Sequence, residues 1–267
     1  MIFDSGVECD PNIQAATYAR VISITFGGQT SVTMSGTLPL SIGNFQSMTH
    51  LKFFYSNLEG TIPSTIGALT SLEILRLIYN RFRGTIPPSI GLLTSLKWLS
   101  ISDNYWLGGP IPSSFSNLMQ LNFLRIGNNA LTGQIPESLA GLTDLIRLTV
   151  DLNLLTGTIP SFIGNFQSLT MLYFSLNILR GTIPSTMSLL TVLGDLLMDN
   201  NYLTMGNAIS VPTSTFSEAT LAGELNLENN CLAFYTDSPY PYRNVSGRSC
   251  SKGNSNANNT VFTYIIT

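Results

Sequence analysis

The chain has 267 residues, of which 44% are hydrophobic and 10% are charged, with a formal net charge of −3. This apolar content is too high, and the charge too low, for an intrinsically disordered protein. The slightly acidic balance gives no electrostatic basis for binding nucleic acid, and no apolar run reaches the roughly 18 residues of a membrane-spanning helix.

A tetrapeptide of the form Gly-x-Ile-Pro, or a close variant of it, returns along the chain every 24 residues, with one step of 25. Its seven copies begin at Gly36, Gly60, Gly84, Gly109, Gly133, Gly157 and Gly181. A period of this length indicates a solenoid, in which each coil buries its apolar face only against its neighbours. We assign the one extra residue to Leu107-Gly108-Gly109. Because solenoids offer long surfaces and few enclosed pockets, the pattern favours binding or assembly over catalysis.

Each repeat is predicted to contain a short β-strand with one buried face. In the clearest unit, Leu75 and Leu77 alternate with polar or variable residues, which is the period of a half-buried strand. Corresponding pairs recur at Ile24/Phe26, Leu51/Phe53, Leu99/Ile101, Leu124/Ile126, Leu148/Val150, Leu172/Phe174, Leu196/Met198 and Leu225/Leu227. We therefore expect nine coils, or about 40 Å of stacked strands at the roughly 4.8 Å spacing of neighbouring strands.

An asparagine follows most of these strands, and we interpret it as structural. It occurs at Asn80, Asn104, Asn129, Asn153, Asn177, Asn201 and Asn230. A short amide carries both donors and acceptors, so it can pair with backbone groups that turn inward at the bend of a coil. A stacked asparagine ladder is therefore favoured over a set of binding residues, and Ser56 interrupts it in one coil.

The other side of each coil is predicted to hold a short helical turn. Apolar residues three apart follow each proline, as at Ile66 and Leu69, which suits one turn of helix. The isoleucine of the tetrapeptide is assigned to a second short strand, with proline at its edge. Four further glycines fit tight bends between that turn and the next strand: Gly43, Gly67, Gly91 and Gly164.

These positions together read Leu-x-x-Leu-x-Leu-x-x-Asn-x-Leu-x-Gly-x-Ile-Pro, and about residues 20–232 resemble the plant-type leucine-rich repeat. The resemblance implies an α/β solenoid, a right-handed superhelix with its main parallel sheet on the concave face. It also implies an extracellular domain that recognises a protein, peptide or glycan through that face. We divide the chain into a partial N-terminal cap over 1–23, the repeat array over 24–232, and a C-terminal cap and tail over 233–267.

The cysteines favour an oxidising compartment. Caps of this repeat class carry two paired cysteines, and here only Cys9 is present; we expect its partner upstream of Met1, the alternative being a free or intermolecular thiol. No signal peptide is recognised after Met1. Cys231 and Cys250 follow the last predicted strand and are expected to form a disulfide that closes the C-terminal cap. Three cysteines at these spacings supply too few ligands for a zinc site.

Two glycosylation sequons lie in the C-terminal region. They begin at Asn244 and Asn258, and both fall outside the predicted stack of coils. Together with the disulfide, they favour a secreted glycoprotein.

Residues that flank the buried pair of each strand project onto the concave surface. The first coils place aromatic and basic side chains there, whereas the last coils carry aspartate and glutamate. Large exposed aromatic residues are enriched at binding hot spots; the alternative is that they only cover one another along the sheet. The predicted ligand-binding residues are Tyr55, Arg76, Tyr79, Trp98, Phe123 and Arg125.

Charge is also polarised along the array. Residues 11–130 contain seven Lys or Arg against three Asp or Glu, while residues 131–230 contain two against eight. This is either random drift on a solvated surface or an attraction between opposite ends that produces head-to-tail contacts. The tail 261–267 is rich in β-formers and could cap its own array or extend the sheet of a neighbour. A structural glycoprotein that forms such a homopolymer, on a cell surface or in a matrix, is therefore the second hypothesis.

No catalytic, cofactor or metal site is predicted. The single histidine, His50, lies on a strand surface with no nucleophile and orienting carboxylate arranged around it by any motif. Each repeated glycine belongs to a Gly-x-Ile-Pro turn rather than to a phosphate-binding loop. The leading hypothesis is a non-enzymatic extracellular scaffold that recognises a protein, peptide or glycan.

Overall fold

The computed structural model describes residues 6–9, 21–27, 35–204 and 225–226. In these ranges the chain is a solenoid whose coils each contribute one strand to a main sheet. The strands of the main sheet are β1 (Gly6–Cys9), β2 (Val21–Gly27), β4 (His50–Phe54), β6 (Ile74–Arg76), β8 (Trp98–Ser100), β10 (Phe123–Arg125), β12 (Arg147–Thr149), β14 (Met171–Tyr173), β16 (Asp195–Leu197) and β18 (Leu225–Asn226).

Each coil adds a second short strand. These strands are β3 (Gly36–Thr37), β5 (Leu58–Gly60), β7 (Arg81–Thr85), β9 (Trp106–Pro110), β11 (Ala130–Gly133), β13 (Leu154–Leu155), β15 (Arg180–Thr182) and β17 (Tyr202–Thr204). A 3-10 turn follows on the outer side, at Leu40–Asn44, Ser64–Ala68, Pro88–Leu92, Ser113–Asn117, Glu137–Gly141, Ser161–Asn165 and Ser185–Leu189. The predicted helical turns are thus confirmed as single 3-10 turns.

The main sheet is parallel from β2 to β18, and β1 runs antiparallel to β2 at its N-terminal edge. Equivalent residues of successive coils pair directly, as Leu75 does with Leu99 and Leu99 with Leu124. In the described part of the chain, nine parallel strands are present, which confirms the predicted number of coils. This register places residues of one repeat position in a straight column across the sheet.

The core is a continuous stack of these columns. In strands β4 to β16 the first leucine of each buried pair is at most 1% exposed, and the residues two positions on, such as Leu77 and Ile101, are buried beside it. The 3-10 turns close the other side with Ile66, Ile90 and their equivalents. Because each coil is one strand thick along the solenoid axis, its apolar side chains are covered only when both neighbouring coils are present.

The asparagine ladder is confirmed over the described coils. Asn104 is buried; its amide nitrogen donates to the carbonyl oxygens of Leu77, Ile101 and Ser102, and its amide oxygen accepts from the N–H of Phe82. Each such asparagine therefore joins its own coil to the preceding one. Where Ser56 replaces it, the hydroxyl donates to the carbonyl oxygen of Phe54 and is fully buried.

The predicted role of the four turn glycines is wrong. Gly43, Gly67, Gly91 and Gly164 lie inside the 3-10 turns rather than at bends after them. A Cβ atom on Gly91 would lie 2.4 Å from the carbonyl oxygen of Ser114 in the next coil. These positions thus need glycine because the backbones of successive turns approach closely, and not because of an unusual φ angle.

The isoleucine of the tetrapeptide lies just after the second strand rather than within it. Strand β7 ends at Thr85, and Ile86 follows as a buried core residue. The strand pairing therefore ends at the threonine, and the isoleucine side chain that follows packs in the core.

The extra residue also lies earlier than predicted. Asn80 and Asn104 occupy equivalent ladder positions, because their amide oxygens accept from Leu58 and Phe82 respectively. Beyond them, the pairing between β7 and β9 is displaced by one residue relative to that between β5 and β7. The additional residue therefore lies between Asn104 and the buried Leu107, in the pair Tyr105-Trp106, and not in Leu107-Gly108-Gly109.

Several predicted features lie outside the described residues. They are the disulfide of Cys231 and Cys250, the sequons at Asn244 and Asn258, Asn230 and the tail 261–267. The side chain of Cys9 is likewise not described. Searched over the described ranges alone, the structure contains no helix with the length and apolarity needed to cross a membrane.

Candidate functional site

The predicted binding residues lie in neighbouring coils on the open face of the main sheet. Because strand residues alternate between two faces, the side chains on either side of each buried leucine face outward. The direct register then stacks them: Arg76 pairs with Ser100 and Ser100 with Arg125, while Trp98 pairs with Phe123. We call Phe54, Arg76, Trp98, Ser100, Phe123 and Arg125 the sheet patch.

The aromatic residues of the sheet patch cover one another. The rings of Trp98 and Phe123 stack with centroids 4.2 Å apart and planes 21° from parallel. Such a pair contributes about 0.5–1.5 kcal/mol beyond the apolar area that it buries. The two rings therefore cover each other and remain partly exposed to solvent, and their binding role stays a prediction.

Arg76 is held between two aromatic rings. Its guanidinium carbon lies 5.7 Å from the ring centroid of Phe54 and 5.5 Å from that of Trp98. The cation–π attraction restrains the long side chain to the sheet surface, where it would otherwise sample many rotamers. Phe54 is not among the predicted binding residues, although it directly follows the buried pair Leu51 and Phe53.

The charge of Arg76 is not balanced by a carboxylate. Burial lowers the pKa of Arg76, and the positive charge of Arg125 lowers it further. Across the described ranges, the one ion pair joins Lys97 to Glu73 at 2.8 Å, beside the patch rather than within it. Two like charges thus lie near each other on a partly desolvated surface, which is costly unless something anionic approaches them.

Several donors of the sheet patch are buried without a hydrogen-bond partner among the described residues. They are Nε of Arg76, Nε1 of Trp98, the hydroxyl of Ser100 and Nε of Arg125. A buried polar group without a partner costs about 1–3 kcal/mol. Native proteins keep few such groups. Nε of Arg147 and the hydroxyls of Thr65, Ser89 and Ser138, outside the sheet patch, are in the same state, so these donors do not by themselves mark a binding surface.

Two tyrosines continue the site towards the rim of the sheet. The rings of Tyr55 and Tyr79 stack with centroids 4.2 Å apart and an angle of 8°. Both residues have left-handed backbone angles, with φ of 52° and 54°, which turn their side chains out of the sheet. A hydrogen bond with Tyr55, and then the charge of Asp103, raises the pKa of Tyr79.

Beside Tyr79 lies a shallow cavity of about 220 Å³ that the sequence analysis missed. Its walls include Asp103, Tyr105 and Trp106, and the last two side chains are 60% and 61% exposed. The extra residue of this coil lies in the same segment as these two side chains. The break in the repeat spacing is the sequence signal for these two aromatic residues. Assigning the extra residue to Leu107-Gly108-Gly109 leaves them out of the predicted site.

Acidic side chains begin beside the sheet patch, at Asp103, and continue along the same face towards the C-terminal coils. The amide of Asn128 donates to Asp103 at 2.6 Å, and the hydroxyl of Ser175 donates to Asp199. Burial is the main cause that raises the pKa of Asp151 and also that of Asp103. Within the part of the chain that the structure describes, no group of His, Cys, Asp and Glu side chains is arranged to hold a metal ion.

A different regular surface runs along the second strands. Exposed threonines of the tetrapeptides line up there, and the γ-methyl groups of four of them, Thr37, Thr61, Thr85 and Thr158, pack on the glycine of the next coil. A Cβ on Gly84 would lie 3.1 Å from the γ-methyl of Thr61, and one on Gly109 would lie 2.6 Å from that of Thr85. The column comprises Thr37, Thr61, Thr85, Thr158 and Thr182, with Pro110 and Gln134 between its two parts.

Comparison with known proteins identifies the repeats. Residues 71–93, 95–118 and 120–142 match the family model for the Leucine Rich Repeat. Among curated proteins, no sequence matches this chain.

Solved structures match most of the described array. The ectodomain of the Arabidopsis receptor kinase HAESA, in complex with the peptide hormone IDA and the co-receptor SERK1, is 33% identical with a TM-score of 0.71 over 79% of this chain and 34% of that chain. The ectodomain of GASSHO1/SCHENGEN3 from Arabidopsis thaliana, in complex with CASPARIAN STRIP INTEGRITY FACTOR 2, is 34% identical with a TM-score of 0.64 over 75% of this chain. A plant ice-binding protein is 27% identical with a TM-score of 0.64, over 85% of this chain and 77% of that chain.

This chain spans only 23% of the GASSHO1 chain and about a third of the HAESA chain. The match therefore concerns the repeats and not the whole of either receptor. The in-phase leucines, the asparagine ladder and the Gly-x-Ile-Pro turns agree with these comparisons. The repeat array of this chain is a leucine-rich repeat domain of the plant-type class.

Proposed function

We propose that this protein is a non-enzymatic scaffold that binds an extended peptide along the open face of its main sheet, over the sheet patch and the Tyr55–Tyr79 pair. The observation that carries the proposal is Arg76, held between Phe54 and Trp98 with no carboxylate in ion-pair range in the described ranges. Such rigid aromatic and arginine anchors dominate binding energy at protein interfaces.

A peptide is favoured over other ligand classes. Solved receptor ectodomains similar to this chain carry the peptide hormones named in their complexes, IDA and RGF2 among them. An extended peptide also fits a surface that repeats at the strand spacing, because successive side chains of the ligand meet successive coils. We further propose that the domain works outside the cell, as the ectodomains of those receptors do.

Selection from a displayed library of random peptides tests the proposal. Peptides that bind the wild-type protein should lose about 30-fold or more in affinity with the double variant Trp98→Ala and Phe123→Ala, as expected for a hot spot of about 2 kcal/mol. The matched control is Leu92→Ala with Met119→Ala, which removes two exposed apolar side chains from the outer face.

Circular dichroism and thermal unfolding of each variant establish that it is folded. Equal affinity of the selected peptides for the wild type and the folded Trp98/Phe123 variant would overturn the assigned surface. Binding to a glycan array that depends on Trp98, with no peptide recovered, would contradict the peptide assignment.

Contact with ice is a second candidate function. Its support is the plant ice-binding protein that matches 85% of this chain, together with the threonine column. The exposed threonines recur at the spacing of neighbouring strands, roughly 4.8 Å, and a methyl group packs against the glycine of the next coil at four of the five positions. A regular rigid array of this kind can order the water that touches it.

Partition of the protein into slowly growing ice tests this candidate. We expect the wild type and the Trp98/Phe123 variant to enter the ice, and a Thr61→Lys, Thr85→Lys variant to be excluded from it. If the wild type is excluded as fully as serum albumin, the ice-binding candidate is wrong.

End-to-end assembly, the second hypothesis from the sequence, depends on the tail 261–267 outside the described residues. No contact within the described coils favours it over ligand binding, and we do not propose it.

A further inference from the structure

We propose that the shallow cavity beside Tyr79 binds one uncharged pyranose ring of an oligosaccharide. Neither Trp98 nor Phe123 lines this cavity, so the site and its class of ligand are distinct from the proposed peptide surface. The walls of the cavity are formed by Asn57, Tyr79, Asn80, Arg81, Asp103, Tyr105 and Trp106.

A hydrogen-bonded β-turn presents two of the aromatic walls. Tyr105 and Trp106 separate the ladder residue Asn104 from the buried Leu107, whereas the other coils within residues 56–203 have one residue at this place. The N–H of Leu107 donates to the carbonyl oxygen of Asn104 at 2.8 Å, and this bond closes a turn with Tyr105 and Trp106 at its two central positions. The backbone therefore holds both side chains outward, and a ligand meets a surface that is already formed.

Exposed aromatic surface is concentrated around this cavity. Of the six exposed aromatic side chains among the described residues, three line the cavity, and a fourth, Tyr55, stacks on Tyr79. In the same ranges, neither Tyr105 nor Trp106 stacks on another ring. A pyranose ring with equatorial hydroxyl groups carries its C–H bonds on two flat faces, and such a face packs on an aromatic ring through dispersion. The uncovered rings of Tyr105 and Trp106 therefore suit a sugar ring.

The cavity also offers both acceptors and donors that a ligand can reach. One carboxylate oxygen of Asp103 accepts from the amide of Asn128 at 2.6 Å, and the other oxygen has no partner among the described residues. The exposed guanidinium of Arg81 and the partly exposed amide of Asn57 likewise form no hydrogen bond within the described coils. Because a sugar hydroxyl both donates and accepts, neighbouring hydroxyls of one ring can pair with the carboxylate and with these donors.

The charge and size of the cavity favour a neutral ring over an ion or an apolar side chain. Its two charged walls, Arg81 and Asp103, have opposite signs, so an ion of either sign would approach a like charge. An apolar side chain of a peptide would cover these groups and Asn57 without satisfying them. The volume of about 220 Å³ is below the roughly 300–1,000 Å³ of pockets for drug-sized ligands, so the cavity accommodates one ring and leaves the rest of an oligosaccharide on the surface.

The first experiment uses an array of oligosaccharides that includes neutral chains of β-linked glucose, xylose and mannose and acidic chains of galacturonate. We expect the wild type to bind neutral chains, and Trp106→Ala to weaken that binding about tenfold or more. The Trp98→Ala, Phe123→Ala double variant should bind them as the wild type does, which separates the cavity from the proposed peptide surface. Binding to acidic chains alone, no binding to any chain, or an equal loss in the double variant and in Trp106→Ala would overturn the proposal.

A titration in solution locates the contact. Trp98→Phe leaves Trp106 as the one tryptophan of the chain, since the sequence has two, and its emission is measured as cellotetraose, a short chain of β-linked glucose, and the chain that binds best on the array are added. For the array chain we expect a saturable change with a midpoint of about 1 mM or lower, which rises about tenfold with Tyr105→Ala and with Asp103→Asn. The matched control is Tyr202→Ala, which removes an exposed tyrosine from the equivalent repeat position four coils further on and should leave the midpoint unchanged.

Deletion of Tyr105 tests the turn itself, because it gives this coil the same length as the other coils within residues 56–203. We expect the deletion variant to unfold cooperatively and to show no saturable change with the oligosaccharide; if it does not fold, Tyr105→Ala decides the question. Binding by the folded deletion variant as tight as that of the wild type, or equal midpoints for Tyr105→Ala and Tyr202→Ala, would contradict the inference. If the selected peptides depend on Trp106 while no oligosaccharide binds, the cavity receives a peptide side chain and the inference is wrong, while the proposed function stands.

Discussion

Replacing Asn104 with alanine tests how the coils are held together. Its amide group bonds to the carbonyl oxygens of Leu77, Ile101 and Ser102 at 2.8–3.1 Å and accepts from the N–H of Phe82 at 3.2 Å. All of these groups are buried, and they belong to two successive coils. Alanine leaves the oxygen of Leu77 and the N–H of Phe82 unpaired in the interior, whereas the oxygens of Ile101 and Ser102 keep the amide of Asn129 and the N–H of Tyr79 as donors.

The size of the effect follows from the number of bonds. The two amide hydrogens of Asn104 are shared among three carbonyl oxygens, so about three hydrogen bonds are lost in all. A buried group left without its partner costs about 1–3 kcal/mol, and the carbonyl oxygens that share a hydrogen lose less than the full amount. We expect the free energy of unfolding to fall by about 3–4 kcal/mol.

Urea denaturation followed by circular dichroism measures this loss, and hydrogen exchange locates it. The amide of Phe82 should lose protection, whereas that of Leu131, which bonds to Asn153, should keep more of it. Asn165→Ala is the control, because that side chain is exposed at the end of a 3-10 turn. It should change stability by no more than about 0.5 kcal/mol.

The reasoning fails if Asn104→Ala costs less than about 1 kcal/mol, within the range of an ordinary surface change. It fails equally if the protein is destabilised but the amide of Phe82 exchanges as slowly as in the wild type. The stability would then come from the leucine columns alone, and the ladder would be incidental.

Two further predictions concern stability. Gly91→Ala should lower the free energy of unfolding, measured by urea denaturation, by about 1–3 kcal/mol, because its Cβ would lie 2.4 Å from the oxygen of Ser114. Gly141→Ala should lower it far less, because the nearest atom to its Cβ would be in the Met119 side chain at 3.5 Å. Equal losses of stability in the two variants would contradict the steric explanation. Asp151→Asn should stabilise the protein at pH 7. Burial raises the folded-state pKa of Asp151, so the folded chain holds that proton more tightly than the unfolded chain, and stability is lost as the pH rises from the unfolded pKa through the folded one. The gain measured by thermal unfolding should therefore shrink as the pH falls through the raised folded-state pKa of Asp151, and be absent below about 4, the ordinary pKa of aspartate; a gain that is independent of pH would refute this cause.

The periodic part of the structure was predictable from the sequence. The leucine pairs, the asparagine ladder and the helical turns each recur in phase, so one physical reason applies to every coil. The predicted patch residues Arg76, Trp98, Phe123 and Arg125 were brought together for the same reason, since a fixed register stacks equivalent positions.

The remaining features depend on contacts that a repeat pattern does not encode. The role of Gly91 depends on how closely the next turn approaches, and this distance is a property of stacked coils. The position of Arg76 between Phe54 and Trp98 depends on the rotamer of one long side chain. Tyr105 and Trp106 are absent from the predicted site because the sequence pattern allows the extra residue at several neighbouring positions. The strand pairing of the structure is needed to locate it.

The most direct measurement of the central claim is a photo-cross-linking map of a selected peptide on the protein. A photoreactive group on the peptide should attach to strands Ile74–Arg76, Trp98–Ser100 and Phe123–Arg125, and unlabelled peptide should compete for the same sites. Cross-links confined to the outer 3-10 turns or to the threonine column would contradict the claim that the main sheet of the N-terminal coils is the binding surface.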